Sequence, residues 1–424
     1  MKKYQKRIAD HLLQKRLKSK GAVLIEGAKW CGKTTTALQQ ARSVQYMQDP
    51  ASRRQNRALA ALDPARLLQG DTPRLIDEWQ NTPMLWDAVR FEVDRRGDFG
   101  QFILTGSAVP TTLDEGAHTG TGRIARMTMR PMSLYESEES SGEVSLQGMF
   151  SDPSSVSGRN GLRLDDMAHL ICRGGWPLSL GQDEDVALQQ AIDYFDSVVN
   201  ADVNRVDGVQ RDPRRATRIM RSYARHIGTS ASLQRIIDDT SPNESQQMSA
   251  PTVNSYVGAL KQIFVLEDVP AWNPNLRSKA AIRTVDTRYF VDPSIAAAAL
   301  GAGPKDLIQD LETMGFLFEN LCIRDLRVYA EHLDGQVFHY RDKYGLECDA
   351  VIHLRNGQYG LIEIKLGGEQ SIEAGAKTLN KLASKIDTTK MPAPSFKMVL
   401  IAVGDYAYTR EDGVCVVPVA SLKA

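Results

Sequence analysis

The sequence predicts an α/β chain of several domains: an N-terminal parallel α/β domain, a mostly helical middle and a second α/β domain at the C-terminus. Three observations predict it. Apolar strand-like runs alternate with helical stretches from 22 to about 132, the pattern of a parallel sheet. The text from 162 to 304 is mostly helical. From 305 onward alternating strand patterns return after a long helix. At 424 residues the chain exceeds one ordinary core, since a domain takes about 100–200 residues.

Composition narrows the function classes. Apolar residues at 42% and charged residues at 25% exclude a disordered chain. Lys+Arg and Asp+Glu both total 52, which excludes a globally basic nucleic-acid coat but leaves room for local basic patches. The five cysteines lie far apart with no C-x-x-C pair, so neither a disulfide framework nor a cysteine-only zinc site is expected, and a reducing compartment fits. No apolar run approaches the roughly 18 residues a bilayer span needs. The basic N-terminus lacks the apolar centre of a signal peptide. A cytoplasmic protein without a membrane partner is expected. Ile8, Leu12, Leu13 and Leu17 have helical spacing, which predicts an N-terminal amphipathic helix packed on the next domain.

The first candidate site follows directly. Val23–Glu26 is a short apolar strand, and Gly27-Ala28-Lys29-Trp30-Cys31-Gly32-Lys33-Thr34 then fits G-x-x-x-x-G-K-[ST], with a helical run from Thr35. Glycines let backbone N–H groups close around phosphate oxygens, and the helix start adds a favourable dipole. ATP is the expected ligand. Lys33 reaches its β- and γ-phosphates and the Thr34 hydroxyl binds Mg²⁺. A second apolar segment, 74–80, is a strand ending in Asp77-Glu78 about 44 residues further on. Asp77 is placed to hold Mg²⁺ through water, and Glu78 to polarise the attacking water. A third strand, 101–108, ends in Thr105-Gly106-Ser107, whose hydroxyls either sense the γ-phosphate or cap the next helix.

These segments, with GRIARMTMRPMSLYE (122–136), resemble bacterial and archaeal AAA-type ATPases that carry a C-terminal domain of unknown function. ICRGGWPLSL (171–180) matches a Gly-Gly-aromatic-Pro segment of that C-terminal region. The resemblance implies that an arginine after the third strand contacts the γ-phosphate, sometimes from a neighbouring subunit of a homo-oligomer. Arg123 and Arg126 are the candidates, with a surface ion pair as the alternative for each. The expected organisation is an ATPase domain over 1–136, a Ser/Gly/acid-rich linker over 137–161, a helical region over 162–304 and a final domain over 305–424.

In the helical region Asp212-Pro213 is a helix start, and Arg211, Arg214, Arg218, Arg221 and Arg225 step along one face. Two further helices and an extended run suggest a winged helix, which the resemblance also implies. Its recognition helix, 250–263, carries only Lys261 as basic residue, so DNA contact and a purely architectural role both stay open.

From 306 the order α-β-β-β-α-β resembles the restriction-endonuclease-like core. Glu319 lies on the first helix, Asp349 on the second strand and Glu363-Ile364-Lys365 on the third, similar to the D…E-x-K signature of metal-dependent nucleases. Two carboxylates hold Mg²⁺ against a phosphate and the lysine stabilises charge. This needs Asp349 and Glu363 side by side. A two-residue Asn356-Gly357 turn would set Asp349 opposite Ile364, on the wrong face. The three-residue turn Arg355-Asn356-Gly357, with Gly357 at positive φ, sets it opposite Glu363. The expected function is an ATPase whose nucleotide state controls a DNA-acting, nuclease-like domain. The alternative is a nucleotide-dependent DNA- or protein-binding switch with an inactive nuclease fold.

Overall fold

The computed structural model describes residues 4–108, 120–240, 248–274 and 284–424. The chain forms two compact units. The first takes Met1–Pro131 with Ala201–Gln210 and Ala259–Phe264; the second takes the remainder. No helix among the described residues is long and apolar enough to cross a membrane.

The first unit is built on a five-stranded parallel sheet of order β2-β3-β4-β1-β5. Its strands are β1 (Ala22–Glu26), β2 (Ser43–Tyr46), β3 (Arg74–Asp77), β4 (Phe102–Gly106) and β5 (Ile124–Thr128). Alternation along the strands feeds two cores. Val23, Ile25, Leu75 and Ile103 face one core with Leu12, Leu13 and Leu17 of the helix Ile8–Leu17. Ala22, Leu24, Ile76 and Phe102 face the other, with Trp86, Val89 and Val93 of the helix Leu85–Arg96. The basic N-terminal segment is therefore a packed helix, and its apolar stripe is the part that the sheet needs.

The second unit holds a seven-stranded mixed sheet of order β7-β12-β13-β11-β10-β9-β8. A short strand β6 (Val144–Ser145) lies apart from it, paired with a C-terminal strand β14 (Leu422–Lys423). The large sheet contains β7 (Gly158–Arg159), β8 (Gly335–Arg341), β9 (Glu347–Leu354), β10 (Tyr359–Lys365), β11 (Phe396–Ile401), β12 (Tyr406–Thr409) and β13 (Val414–Pro418). Along the chain the helix Leu311–His332, β8, β9, β10, the helix Glu369–Lys385 and β11 give the anticipated α-β-β-β-α-β order. Leu379 and Leu382 of the later helix pack on Val351, Leu361 and Val399.

The stretch 137–161, expected as a linker, has secondary structure of its own. β6 pairs with β14, the helix Leu146–Ser151 follows, and β7 extends the large sheet through β12. Two of its serines serve as a cap and a tie. Ser145 accepts the Gly148 N–H, and Ser140 donates to the Leu422 carbonyl at 2.7 Å. Its few apolar residues do the packing, with Phe150 edge-on to Phe396 at 5.0 Å. Composition reads as linker because caps and turns use the same residue types.

A buried ionic cluster fixes the Gly-Gly-Trp-Pro segment. Arg324, 2% exposed, donates to Asp292 and Asp325 at 2.8 Å each. Asp292 also accepts the Gly175 N–H, Asp325 the Leu134 N–H, and Trp176 donates to Ser294. A Cβ on Gly175 would stand 2.1 Å from the Met132 carbonyl oxygen, so only glycine fits there. Removing one member of such a cluster leaves an uncompensated buried charge, at a cost of about 3–5 kcal/mol. Arg324→Ala is expected to lose about that much in denaturant unfolding, and a loss below about 1 kcal/mol would contradict this.

Candidate ATP site and carboxylate site

The phosphate loop is 27–34, between β1 and the helix Lys33–Leu38. Gly27 (φ 151°) and Gly32 (φ 101°) take backbone conformations that only glycine holds without strain. A Cβ at Gly27 would also lie 2.1 Å from the Met129 carbonyl oxygen. Trp30, at φ 64°, is a non-glycine residue held in the left-handed region. Lys33 is buried, and its ammonium donates to the Gly27 and Ala28 carbonyls at 2.9 and 2.7 Å. Lys29 pairs with Asp202, while Cys31 is buried with its thiol on the Met129 carbonyl. Thr35 follows Thr34 in the first turn of the loop helix.

Parallel pairing brings the other expected residues to the same strand ends. The Thr34 hydroxyl donates to Asp77 Oδ1 at 2.6 Å, and Thr105 donates to the same oxygen at 2.7 Å. The Glu78 N–H donates to Thr105 Oγ1. Glu78 sits at φ 56°, a second strained residue next to the loop. Its carboxylate accepts from Gln80 Nε2 at 2.6 Å and from the Ser107 hydroxyl at 3.4 Å. Thr105 and Ser107 thus contact the acid pair, and the segment that either would cap, 109–119, lies outside the described residues. Thr34 and Asp77 offer a hydroxyl and a carboxylate side by side, a hard oxygen set that suits Mg²⁺.

The structure does not bring Arg123 to the loop. It precedes β5, whose Ile124 pairs with Ala22 at the start of β1, whereas the loop leaves the end of β1. Four residues of strand, about 13 Å, separate the two edges. Arg123 instead pairs with Asp94 at 2.6 Å. Arg126 is nearer and pairs with Glu26 at 3.4 Å. Because β5 runs parallel to β1, the residue that precedes β5, Arg123, lies at the starting edge of the strands.

Three contributors escaped sequence reading. Gln80 holds Glu78. Arg7 donates to the Cys31 carbonyl within the loop at 2.8 Å and to the Arg130 carbonyl at 2.9 Å. The Tyr4 hydroxyl meets Asp10 at 2.6 Å and Thr36 at 3.0 Å. Nothing in a run of basic residues marks Arg7 as different from its neighbours.

In the second unit the hairpin register is the three-residue one. Leu361 pairs with Val351 and Ile362 with Ala350, and Gly357 has φ 88°. Continued by one residue, this register sets Asp349 beside Glu363. Lys365 ties the two, donating to Asp349 at 3.1 Å and to Glu363 at 2.8 Å. Asp349 also accepts the Ile364 N–H at 2.7 Å. Glu363 is nearly buried, and burial, then the Asp349 charge, push its carboxyl up to about 8. Glu319 accepts from the Tyr289 hydroxyl, and burial followed by Asp349 drives its carboxyl well above the usual range. Glu319, Tyr289 and Asp349 line one small polar cavity of about 20 Å³, room for about one water. Among the described residues no group of three or more His, Cys, Asp or Glu side chains is placed to hold a metal ion. His353 accepts from Trp272 Nε1 at 3.1 Å and lies against Tyr359, so it belongs to an aromatic cluster.

Three family models match the chain. Residues 19–138 match the AAA domain. Residues 164–306 match a domain of unknown function, DUF8612, and residues 314–422 another, DUF4143. No curated protein matches. Among solved structures the chain is similar to the Walker-type ATPase PABY2304 of Pyrococcus abyssi, at 14% identity and a TM-score of 0.44, over 68% of this chain and 94% of that one. With the phosphate loop inside its AAA domain, the chain is an ATP-binding ATPase that carries two additional domains of unknown function.

Proposed function

We propose that the chain hydrolyses ATP with Mg²⁺ and that its nucleotide state controls a nuclease-like, DNA-acting domain at the C-terminus. Thr34 and Asp77 hold the Mg²⁺, Lys33 neutralises the β- and γ-phosphates, and Glu78 orients the attacking water, with Thr105 and Ser107 near the γ-phosphate. The observation that carries the nuclease-like reading is the Lys365 ammonium bridging Asp349 and Glu363 on adjacent strands. A bound divalent cation would supply Lewis-acid stabilisation of a scissile phosphate. Asp349 and Glu363 offer its oxygen ligands, Lys365 moves onto the phosphate, and Glu319 faces the same cavity. The element order from Leu311 to Ile401 supports a restriction-endonuclease-like fold. Three helices, Pro213–Arg225, Leu233–Asp239 and Ala250–Gln262, followed by antiparallel bridges Leu266–Phe290 and Val269–Thr287, support a winged helix.

A second reading, an inactive nuclease fold used as a binding platform, is favoured by the lack of a three-ligand cluster among the described residues. One assay separates the two. Supercoiled plasmid is incubated with protein and Mg²⁺ or Mn²⁺. Nicking that Asp349→Ala reduces at least a hundredfold supports the nuclease. Equal nicking by both proteins, or none by the wild type, supports the platform.

A further inference from the structure

The helix Pro213–Arg225 carries a cationic face most of which no described residue neutralises. Its buried side is Ala216, Ile219, Met220 and Tyr223, at i, i+3, i+4 and i+7. Arg214, Arg218, Arg221 and Arg225, at i, i+4, i+7 and i+11, line the other side with Arg215 beside them, and all five are exposed. Arg225 pairs with Asp239 at 3.4 Å. No ion pair or hydrogen bond joins the guanidinium of the other four to a described residue. The sole acid between 211 and 225 is Asp212, whose carboxylate is engaged as the helix cap on the Arg214 N–H at 2.8 Å.

Like charges at i, i+4 destabilise a helix by about 0.2–0.5 kcal/mol per pair, a cost that interleaved carboxylates would offset. Here none are interleaved, in a chain whose net charge is zero. Such a face is complementary to an external polyanion. From Arg214 to Arg225 it runs about 17 Å at roughly 1.5 Å per residue. Over that length one strand of a DNA duplex presents about five phosphates. Guanidinium suits phosphate because it donates in a planar fork. An anionic lipid surface would call for apolar side chains among the arginines, and this face exposes no large apolar residue.

We propose that the helix Pro213–Arg225 lies along the phosphate backbone of double-stranded DNA and is the main DNA contact of the second unit, in place of the helix Ala250–Gln262. This rests on the DNA-acting reading above but not on catalysis. It predicts strong salt dependence and little sequence preference.

The test is fluorescence anisotropy of a labelled 30-base-pair duplex with the full chain over a range of KCl concentrations. Each lost phosphate contact lowers the log–log salt slope by about 0.9. The variant Arg214→Ala/Arg218→Ala/Arg221→Ala is expected to lower it by about 2.7 and to weaken binding at ~0.1 M salt by roughly a hundredfold or more. The corresponding triple Arg→Lys variant should keep the slope, and unchanged thermal melting shows that both variants are folded. An unchanged slope in the alanine variant, no duplex binding by the wild type, or arginine-dependent binding to phosphatidylserine vesicles but not to duplex would each overturn the proposal. If the wild type binds as described yet does not nick plasmid, the nuclease reading fails and this one stands.

Discussion

Lys33→Ala is expected to lose ATP binding, with Kd raised at least a hundredfold in calorimetric titration. The ammonium is buried against the Gly27 and Ala28 carbonyls, so it is already aimed along the inner surface of the loop. Moving from those carbonyls to phosphate oxygens exchanges neutral acceptors for charged ones. Hydrogen bonds to charged groups are worth about 1.5–3 kcal/mol each. Two of them account for more than two decades in Kd at about 1.4 kcal/mol per decade. The alanine variant also leaves two loop carbonyls without their donor, which lets the loop relax. A Kd within threefold of the wild type would mean that Lys33 does not meet the phosphates.

Glu78→Gln is expected to bind ATP within a few-fold of the wild type while kcat falls by about 10²–10⁴, the range for losing a general base. The geometry explains the separation of binding from turnover. Glu78 adjoins Asp77 but sits at φ 56°, which turns its carboxylate toward Gln80 and Ser107. Asp77 takes the Thr34 and Thr105 hydroxyls. In the proposed mechanism the pair is divided between metal and water. Glutamine keeps the size and the Ser107 hydrogen bond but cannot accept a proton. Single-turnover hydrolysis at the wild-type rate would assign the water-activating role elsewhere.

The legible parts of this molecule are those written in short spacings. The loop glycines, the strand-end acids and the Asp212-Pro213 helix start each need only a few consecutive residues, and the structure gives each its local form. The β9–β10 register was legible because one turn residue more or less exchanges the faces, and only one choice sets Asp349 beside Glu363. Contacts that span many residues were not legible. Tyr289 reaches Glu319 across 30 positions and Arg7 reaches Cys31 across 24, with no periodic signal for either. Arg123 takes the ion-pair alternative, with Asp94, because proximity in sequence to the third strand does not fix which strand edge it lies at. The 137–161 stretch was misread because its caps and turns share a linker's composition, while its anchors, Val144, Leu146, Met149 and Phe150, are few.

The central claim is that ATP governs what the C-terminal carboxylate site does. It is tested most directly by the initial rate of plasmid nicking in Mg²⁺ with ATP, with ADP and without nucleotide, for the wild type and Lys33→Ala. The account predicts a wild-type rate that differs at least tenfold between ATP and ADP, and a Lys33→Ala rate that is the same under all three conditions. Nicking by the wild type at one rate regardless of nucleotide would contradict it.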